Sequence, residues 1–217
     1  MLELKNISFK YKEGDKMIFD QMSFNVKEGE IVSLIGPTGI GKTTLVNIIA
    51  GYLKPSSGEI LIDNNIVSKP GKNRIVINQE NDLFPWMNVY DQLSFVLKDV
   101  ERIEELLKLT GLEESKDKYP HELSGGMKKR LSFARALALN PDFIIMDEPF
   151  SSQDEKMKVN LYKDLLKIAK RDKKTILLIT HDIEEAKNLS DRILFLSGEP
   201  GRIINEQVAP FLDFKNN

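Results

Sequence analysis

The stretch Gly36-Pro37-Thr38-Gly39-Ile40-Gly41-Lys42-Thr43-Thr44 constrains this chain more than any other. It fits G-x-x-x-x-G-K-[ST], the pattern of a loop that cradles phosphate. An apolar run, Ile31-Val32-Ser33-Leu34-Ile35, precedes it, and Leu45, Ile48 and Ile49 recur after it at helical spacing. The loop therefore lies between a strand and a helix, the setting the pattern requires. Gly36, Gly39 and Gly41 can take backbone angles closed to other residues and let the chain approach a ligand closely. Successive N–H groups can then point inward as an anion nest. The helix N-terminus adds unpaired donors and the positive end of its dipole. Lys42 can reach β- and γ-phosphates, and the Thr43 hydroxyl can ligate Mg²⁺.

The length, 217 residues, suits one large domain or two small ones, and the 41% hydrophobic content supports a core. Lys and Arg total 31 against 33 Asp and Glu, a net charge of −2. That balance provides no global basic field, so nucleic acid is not an expected partner. Cysteine is absent, which removes disulfides and thiol chemistry. The opening Met1-Leu2-Glu3-Leu4-Lys5 lacks the apolar segment of a signal peptide. No apolar run approaches the roughly 18 residues needed to span a bilayer. A membrane role is expected only through a partner.

Along the chain, Leu2, Leu4, Ile7, Phe9 and Tyr11 alternate with a slip near Asn6, as a bulge causes. Met22, Phe24 and Val26 read as a half-buried strand. Ile60–Ile62 and Ile66-Val67, joined through Asp63-Asn64-Asn65, read as a hairpin, and Ile75–Ile77 as a short strand. From Val89 to Ala138 helical spacing dominates, as in Ile103, Leu106, Leu107 and Leu131, Ala134, Leu137. Phe143–Met146, Thr175–Thr180 and, as the last core strand, Ile193–Leu196 read as buried strands. Between them, 155–170 carries Val159, Tyr162, Leu166 and Ala169 on one helical stripe, and 183–190 reads as a helix. Strands alternating with helices imply a parallel sheet covered on both faces.

Further groups carry chemistry. Asp147-Glu148 closes an apolar strand. Alone, such a pair is equally a strand end meeting solvent. Beside a phosphate loop, Asp147 can serve Mg²⁺ and Glu148 can polarise an attacking water. Gln79 and His181 end strands in the same way and read either as polar strand ends or as groups facing the γ-phosphate. Leu123-Ser124-Gly125-Gly126-Met127 precedes a helix bearing Lys128, Lys129, Arg130 and Arg135. It is an ordinary serine N-cap or a second anion site.

Taken together, these residues resemble the ATP-binding-cassette (ABC) ATPases along essentially the whole chain. Residues 36–44 resemble the family's Walker A, Gln79 its Q-loop, and Leu123–Met127 its LSGGQ signature. Residues 143–148 resemble Walker B with its following glutamate, Ser151–Asp154 the D-loop, and His181 the switch histidine. Tyr11 stands where the family has an aromatic that stacks on adenine. The signature ends in Met127 where glutamine is usual, and the D-loop reads Ser151-Ser152-Gln153-Asp154, where the family pattern is serine–alanine–leucine–aspartate.

The resemblance implies an α/β fold: a P-loop NTPase (RecA-like) core with an N-terminal antiparallel β subdomain and a helical insertion. Residues 1–80 and 141–217 would form the nucleotide-binding core of one domain, and 81–140 the helical subdomain. It also implies ATP and Mg²⁺ as ligands. Tyr11, Gly36, Pro37, Thr38, Gly39, Ile40, Gly41, Lys42, Thr43 and Thr44 would hold the nucleotide, with Ser124, Gly125 and Gly126 acting across a head-to-tail, ATP-dependent homodimer. Thr43, Gln79 and Asp147 would serve the metal, and Glu148, His181 and Gln79 would act in hydrolysis.

The segment Asn81–Met87 and the stretch Ser197–Ile203 resemble import ATPases of the nitrate, sulfonate and taurine type. The expected setting is the cytoplasmic face of the cell membrane, with permease subunits and a solute-binding protein. With the sequence ending at residue 217, an added C-terminal regulatory domain is not expected. The alternatives are a non-transport ABC ATPase acting on nucleic acid or ribosomes, which would need long heptads or a second cassette, and a small-molecule P-loop kinase, which would lack the signature.

Overall fold

The computed structural model describes residues 1–77, 83–149, 162, 166, 167 and 169–208. These fall into two compact units. The first comprises Met1–Val76, Asp142–Glu148 and Ile168–Asn217, and the second Ile77–Pro141 with Pro149–Lys167.

An antiparallel sheet opens the first unit. Strand β1 (Leu2–Phe9) lies between β2 (Phe19–Val26) and β4 (Ser57–Ile62), with β5 (Asn65–Ile66) beside β4. The slip expected near Asn6 is a register shift between Leu4 and Ile7, with Asn6 at φ 50°. Asparagine tolerates that left-handed angle, and the bulge keeps Leu2, Leu4, Ile7 and Phe9 all buried. The hairpin turn is tighter than the three residues read from sequence. Asn65 already pairs with Ile62, leaving Asp63 and Asn64 at φ 50° and 62°. Positive φ at both centres is what a two-residue hairpin turn demands.

The second sheet has the order β10-β9-β3-β8-β7-β6, made of β3 (Ile31–Ile35), β6 (Arg74–Ile77), β7 (Phe143–Asp147), β8 (Thr175–Thr180), β9 (Arg192–Ser197) and β10 (Arg202–Val208). β3 pairs in parallel with both β8 and β9, and β7 in parallel with β8. β7 and β8 are buried along their whole length, as central parallel strands are. The expectation of an all-parallel sheet ending at Leu196 is corrected by β10, which runs antiparallel along β9. β10 is exposed at nearly every position and alternates weakly, so its sequence carries little strand signal. One apolar cluster joins the sheets of this unit with helix α1 (Lys42–Ala50), through Leu45, Ile48 and Ile49.

In the second unit, α2 (Val89–Ser94), α3 (Val100–Thr110) and α4 (Gly125–Ala138) pack on one another. Asn88, Asp99 and Ser124 cap their N-termini with side-chain hydrogen bonds. Arg130 on α4 donates to the carbonyls of Thr110 and Gly111 at 2.7 and 3.2 Å, closing the C-terminus of α3. Burial lowers its pKa from the ordinary arginine value. Of the helical stripe expected over 155–170, Tyr162 and Ala169 are helical and buried, whereas Val159 lies outside the described residues.

One polar cluster ties the sheets of the first unit. Arg192 donates from Nε to Glu30 Oε1 at 2.8 Å and from Nη2 to Glu30 Oε2 at 3.1 Å. It also donates to Glu206 Oε1 at 3.1 Å and to the Asn25 carbonyl at 2.6 Å. Both the Arg192 and Glu30 side chains are nearly buried. Arg192→Ala strands the Glu30 carboxylate in that setting, and a loss of about 3 kcal/mol is expected. Arg192→Lys recovers only part, because an ammonium cannot form the fork. Urea unfolding measures this, and a loss below about 1 kcal/mol would class the cluster with ordinary surface pairs.

Candidate active site

The loop between β3 and α1 is shaped by two different demands on its glycines. Gly39 and Gly41 take φ of 85° and 100°, open to glycine at little cost. A Cβ on Gly41 would also lie 2.6 Å from Ile18 Cγ2 and 2.9 Å from Phe19 Cζ. Gly36 has no positive φ. Its constraint is space, since a Cβ there would sit 2.8 Å from the Leu196 carbonyl oxygen. The expectation that all three glycines supply unusual angles is thus corrected for Gly36. Pro37, Thr38 and Gly39 are exposed, and Ile40 packs against the core beneath them. Gly41 is the N-cap of α1 and offers no side chain to its first-turn N–H groups, which are the donors a phosphate would use.

Charge is gathered at the base of this loop. Lys42 is 7% exposed and donates from Nζ to the Gly36 carbonyl at 2.8 Å and the Pro37 carbonyl at 3.2 Å. Thr43 donates from Oγ1 to Asp147 Oδ2 at 2.9 Å. Glu148 follows at φ 48°, its N–H bonded to the Ile179 carbonyl at 2.9 Å. A left-handed glutamate costs about 1 kcal/mol or more and is held here by the adjoining strands. Its Oε1 lies 3.2 Å from His181 Nδ1 and 4.0 Å from Lys42 Nζ. Lys42, Thr43, Asp147, Glu148 and His181 therefore meet beyond the C-terminal ends of β3, β7 and β8.

Burial raises the Asp147 pKa above its ordinary value, with the Thr43 hydrogen bond opposing it, Glu148 adding to it and Lys42 opposing it. A carboxylate so placed gains from a cation. Mg²⁺ is a hard ion that takes one or two protein oxygens and fills its shell with phosphate and water. Thr43 Oγ1 and Asp147 Oδ2, in contact, fit that donor set. Among the described residues no cluster of three or more His, Cys, Asp or Glu could hold a metal by itself.

Tyr11 follows β1, is 58% exposed, and bonds through its hydroxyl to Thr44 Oγ1 at 2.8 Å. Ser124 caps α4, accepting from the Met127 N–H at 3.2 Å, while Ser124 and Gly125 remain exposed. The cap read from sequence is therefore present. Gln79 and the stretch Ser151–Asp154 lie outside the described residues. Two contacts had no sequence signal. The Arg135 guanidinium lies 4.6 Å from the centroid of Phe84, and buried Gln92 binds the Phe84 N–H, the Phe84 carbonyl and the Met87 carbonyl.

A glycine loop at the C-terminal end of a central parallel strand, its lysine inside and its threonine bonded to a strand-end aspartate, defines a P-loop nucleotide-binding protein. The profile of the ABC transporter family matches residues 19–151. The taurine import ATP-binding protein of Roseobacter denitrificans is 39% identical over 98% of this chain and 83% of its own length. The nitrate import ATP-binding protein of Synechococcus elongatus is 40% identical over 89% of this chain and 31% of its own. A dimeric ATP-binding cassette solved in a post-hydrolysis state with ADP and Pi superposes with TM-score 0.84 at 32% identity, covering 97% of this chain and 99% of that one. The chain belongs to the ABC transporter family, as its ATPase subunit. Among the described residues no helix is long and apolar enough to cross a membrane.

Proposed function

We propose that this chain powers an importer of a small anionic solute of the nitrate, sulfonate or taurine type, from the cytoplasmic face of the cell membrane. The observation that carries the reading is the 39–40% identity to taurine import ATP-binding proteins along 98–100% of the chain. Permease subunits and a solute-binding protein complete the system.

In this reading the loop amides and Lys42 bind the phosphates, and the Tyr11 ring stacks on adenine. Thr43 and Asp147, with Gln79, would hold Mg²⁺, which neutralises phosphate charge when bound. Glu148 orients the attacking water and takes up its proton, and His181 holds the Glu148 carboxylate. Ser124, Gly125 and Gly126 of a second copy close the site, making ATP part of a homodimer interface. The test is uptake of labelled taurine, sulfonate or nitrate by cells carrying this chain with the permease encoded beside it. Uptake should vanish with Glu148→Gln. Efflux, or uptake unaffected by that change, overturns the reading.

The permease contact is assigned to the loop holding Phe84, Trp86 and Met87. Trp86 is 69% exposed. Its ring rests on Phe84 at 5.5 Å between centroids, and Phe84 meets Phe95 edge-on at 5.5 Å. An exposed aromatic patch on a clamped loop is suited to docking. Trp86→Ala is expected to reduce permease co-purification at least about tenfold, the effect of losing an aromatic anchor. Basal ATPase and the thermal midpoint should stay near wild type. Unchanged co-purification, or global unfolding, places the contact elsewhere.

A further inference from the structure

Tyr11 is exposed, yet its ring is fixed at both ends. Phe9, buried at the end of β1, meets the ring edge-on, 5.1 Å between centroids and 80° between planes. At the far end, the phenol is bonded to Thr44 Oγ1 at 2.8 Å. Thr44 is itself buried in the first turn of α1, two positions after Lys42. The connection that carries Tyr11 is closed at its base by the Ile18 N–H, which donates to the Phe9 carbonyl at 2.8 Å. Next to that closure, Ile18 and Phe19 lie against Gly41, leaving no room for a Cβ there. The connection is thus registered on the phosphate loop twice, at Gly41 and at Thr44.

We propose that Thr44 is the positioning residue of the base platform. Its hydroxyl holds the Tyr11 ring at the mouth of the phosphate loop, so base and phosphates are met by one connected, preorganised unit. The inference rests on the reading of Tyr11 as the ring that stacks on adenine. The physical gain is in ordering. A ring already held loses little freedom when a base stacks on it, whereas a loose one must be immobilised at binding. The bond joins two hydroxyls and uses one proton, so one hydroxyl proton of the pair is left over for a ligand oxygen.

Two ligands separate base from phosphate: ADP, which carries both and is not turned over, and pyrophosphate, which carries no base. Tyr11→Phe keeps the ring and removes the bond. It should weaken ADP about three- to tenfold, the size of one lost neutral hydrogen bond or one newly mobile side chain. Pyrophosphate affinity, measured by competition, should stay within about twofold. Thr44→Val added to Tyr11→Phe should leave the ADP-to-pyrophosphate ratio where Tyr11→Phe put it, because the bond is already gone. Tyr11→Ala is the control for the platform itself. If Tyr11→Ala weakens ADP but Tyr11→Phe binds it like wild type, the platform stands and the positioning role of Thr44 falls. If Tyr11→Ala also leaves ADP affinity unchanged, the platform reading falls and takes the inference with it. Additive shifts of the ratio in the double variant overturn the proposal as well.

Discussion

Glu148→Gln should lower ATP turnover by about 10²–10⁴-fold, the range of a lost general base, while nucleotide remains bound. The substitution keeps size and backbone demand, so the left-handed turn at φ 48° and the Ile179 hydrogen bond can persist. It removes the charge that lies 3.2 Å from His181 Nδ1 and 4.0 Å from Lys42 Nζ. An amide can still accept a hydrogen bond from water but cannot take its proton. It also relieves Asp147 of a neighbouring carboxylate that helps to raise its pKa, so metal and phosphate binding should not suffer. ATP then stays intact between two copies, and sedimentation should show a dimer with ATP and monomer without it. Turnover within about tenfold of wild type would remove Glu148 from the base role.

How much of this was legible in sequence depended on whether a feature is local. The phosphate loop is contiguous, and its strand and helix flank it directly, so Lys42 and Thr43 stood out as candidates at once. Asp147 and Glu148 were readable because they close a run of buried apolar residues. The bulge at Asn6 showed as a slip in alternation, since burial on one face fixes the register. β10 was missed for the opposite reason. It is an edge strand with Ile204 and Val208 exposed, so burial imposes little pattern on it. Contacts between distant residues leave no trace of this kind. Tyr11 and Thr44 are 33 positions apart, and Arg192 and Glu30 are 162 apart. Nothing in either residue's neighbourhood names its partner. Gly36 was read for its backbone angle and for close approach to a ligand, whereas the constraint seen on it is the Leu196 carbonyl, brought in from the neighbouring strand.

Lys42→Ala is the second large loss, and its causes are separable. The amine supplies the loop's own carbonyls at Gly36 and Pro37 and stands 4.0 Å from Glu148. Toward a phosphate, each charge-assisted hydrogen bond is worth about 1.5–3 kcal/mol, so two lost bonds cost roughly 10²–10⁴ in affinity. Hydrolysis should fall at least as far, since phosphoryl transfer depends on positioning and charge. The substitution also strips a cation that lowers the Asp147 pKa, leaving burial and Glu148 to raise it further. An acid whose folded pKa is raised gives its full stabilisation below its ordinary value of 3.8 and loses it as pH rises through the folded pKa. The variant's thermal midpoint should therefore fall further behind wild type at pH 8 than at a pH near the ordinary value of 3.8. A deficit that is the same at both pH values would show that Asp147 does not sense Lys42. Pyrophosphate and ADP affinities within about tenfold of wild type would remove Lys42 from phosphate binding altogether.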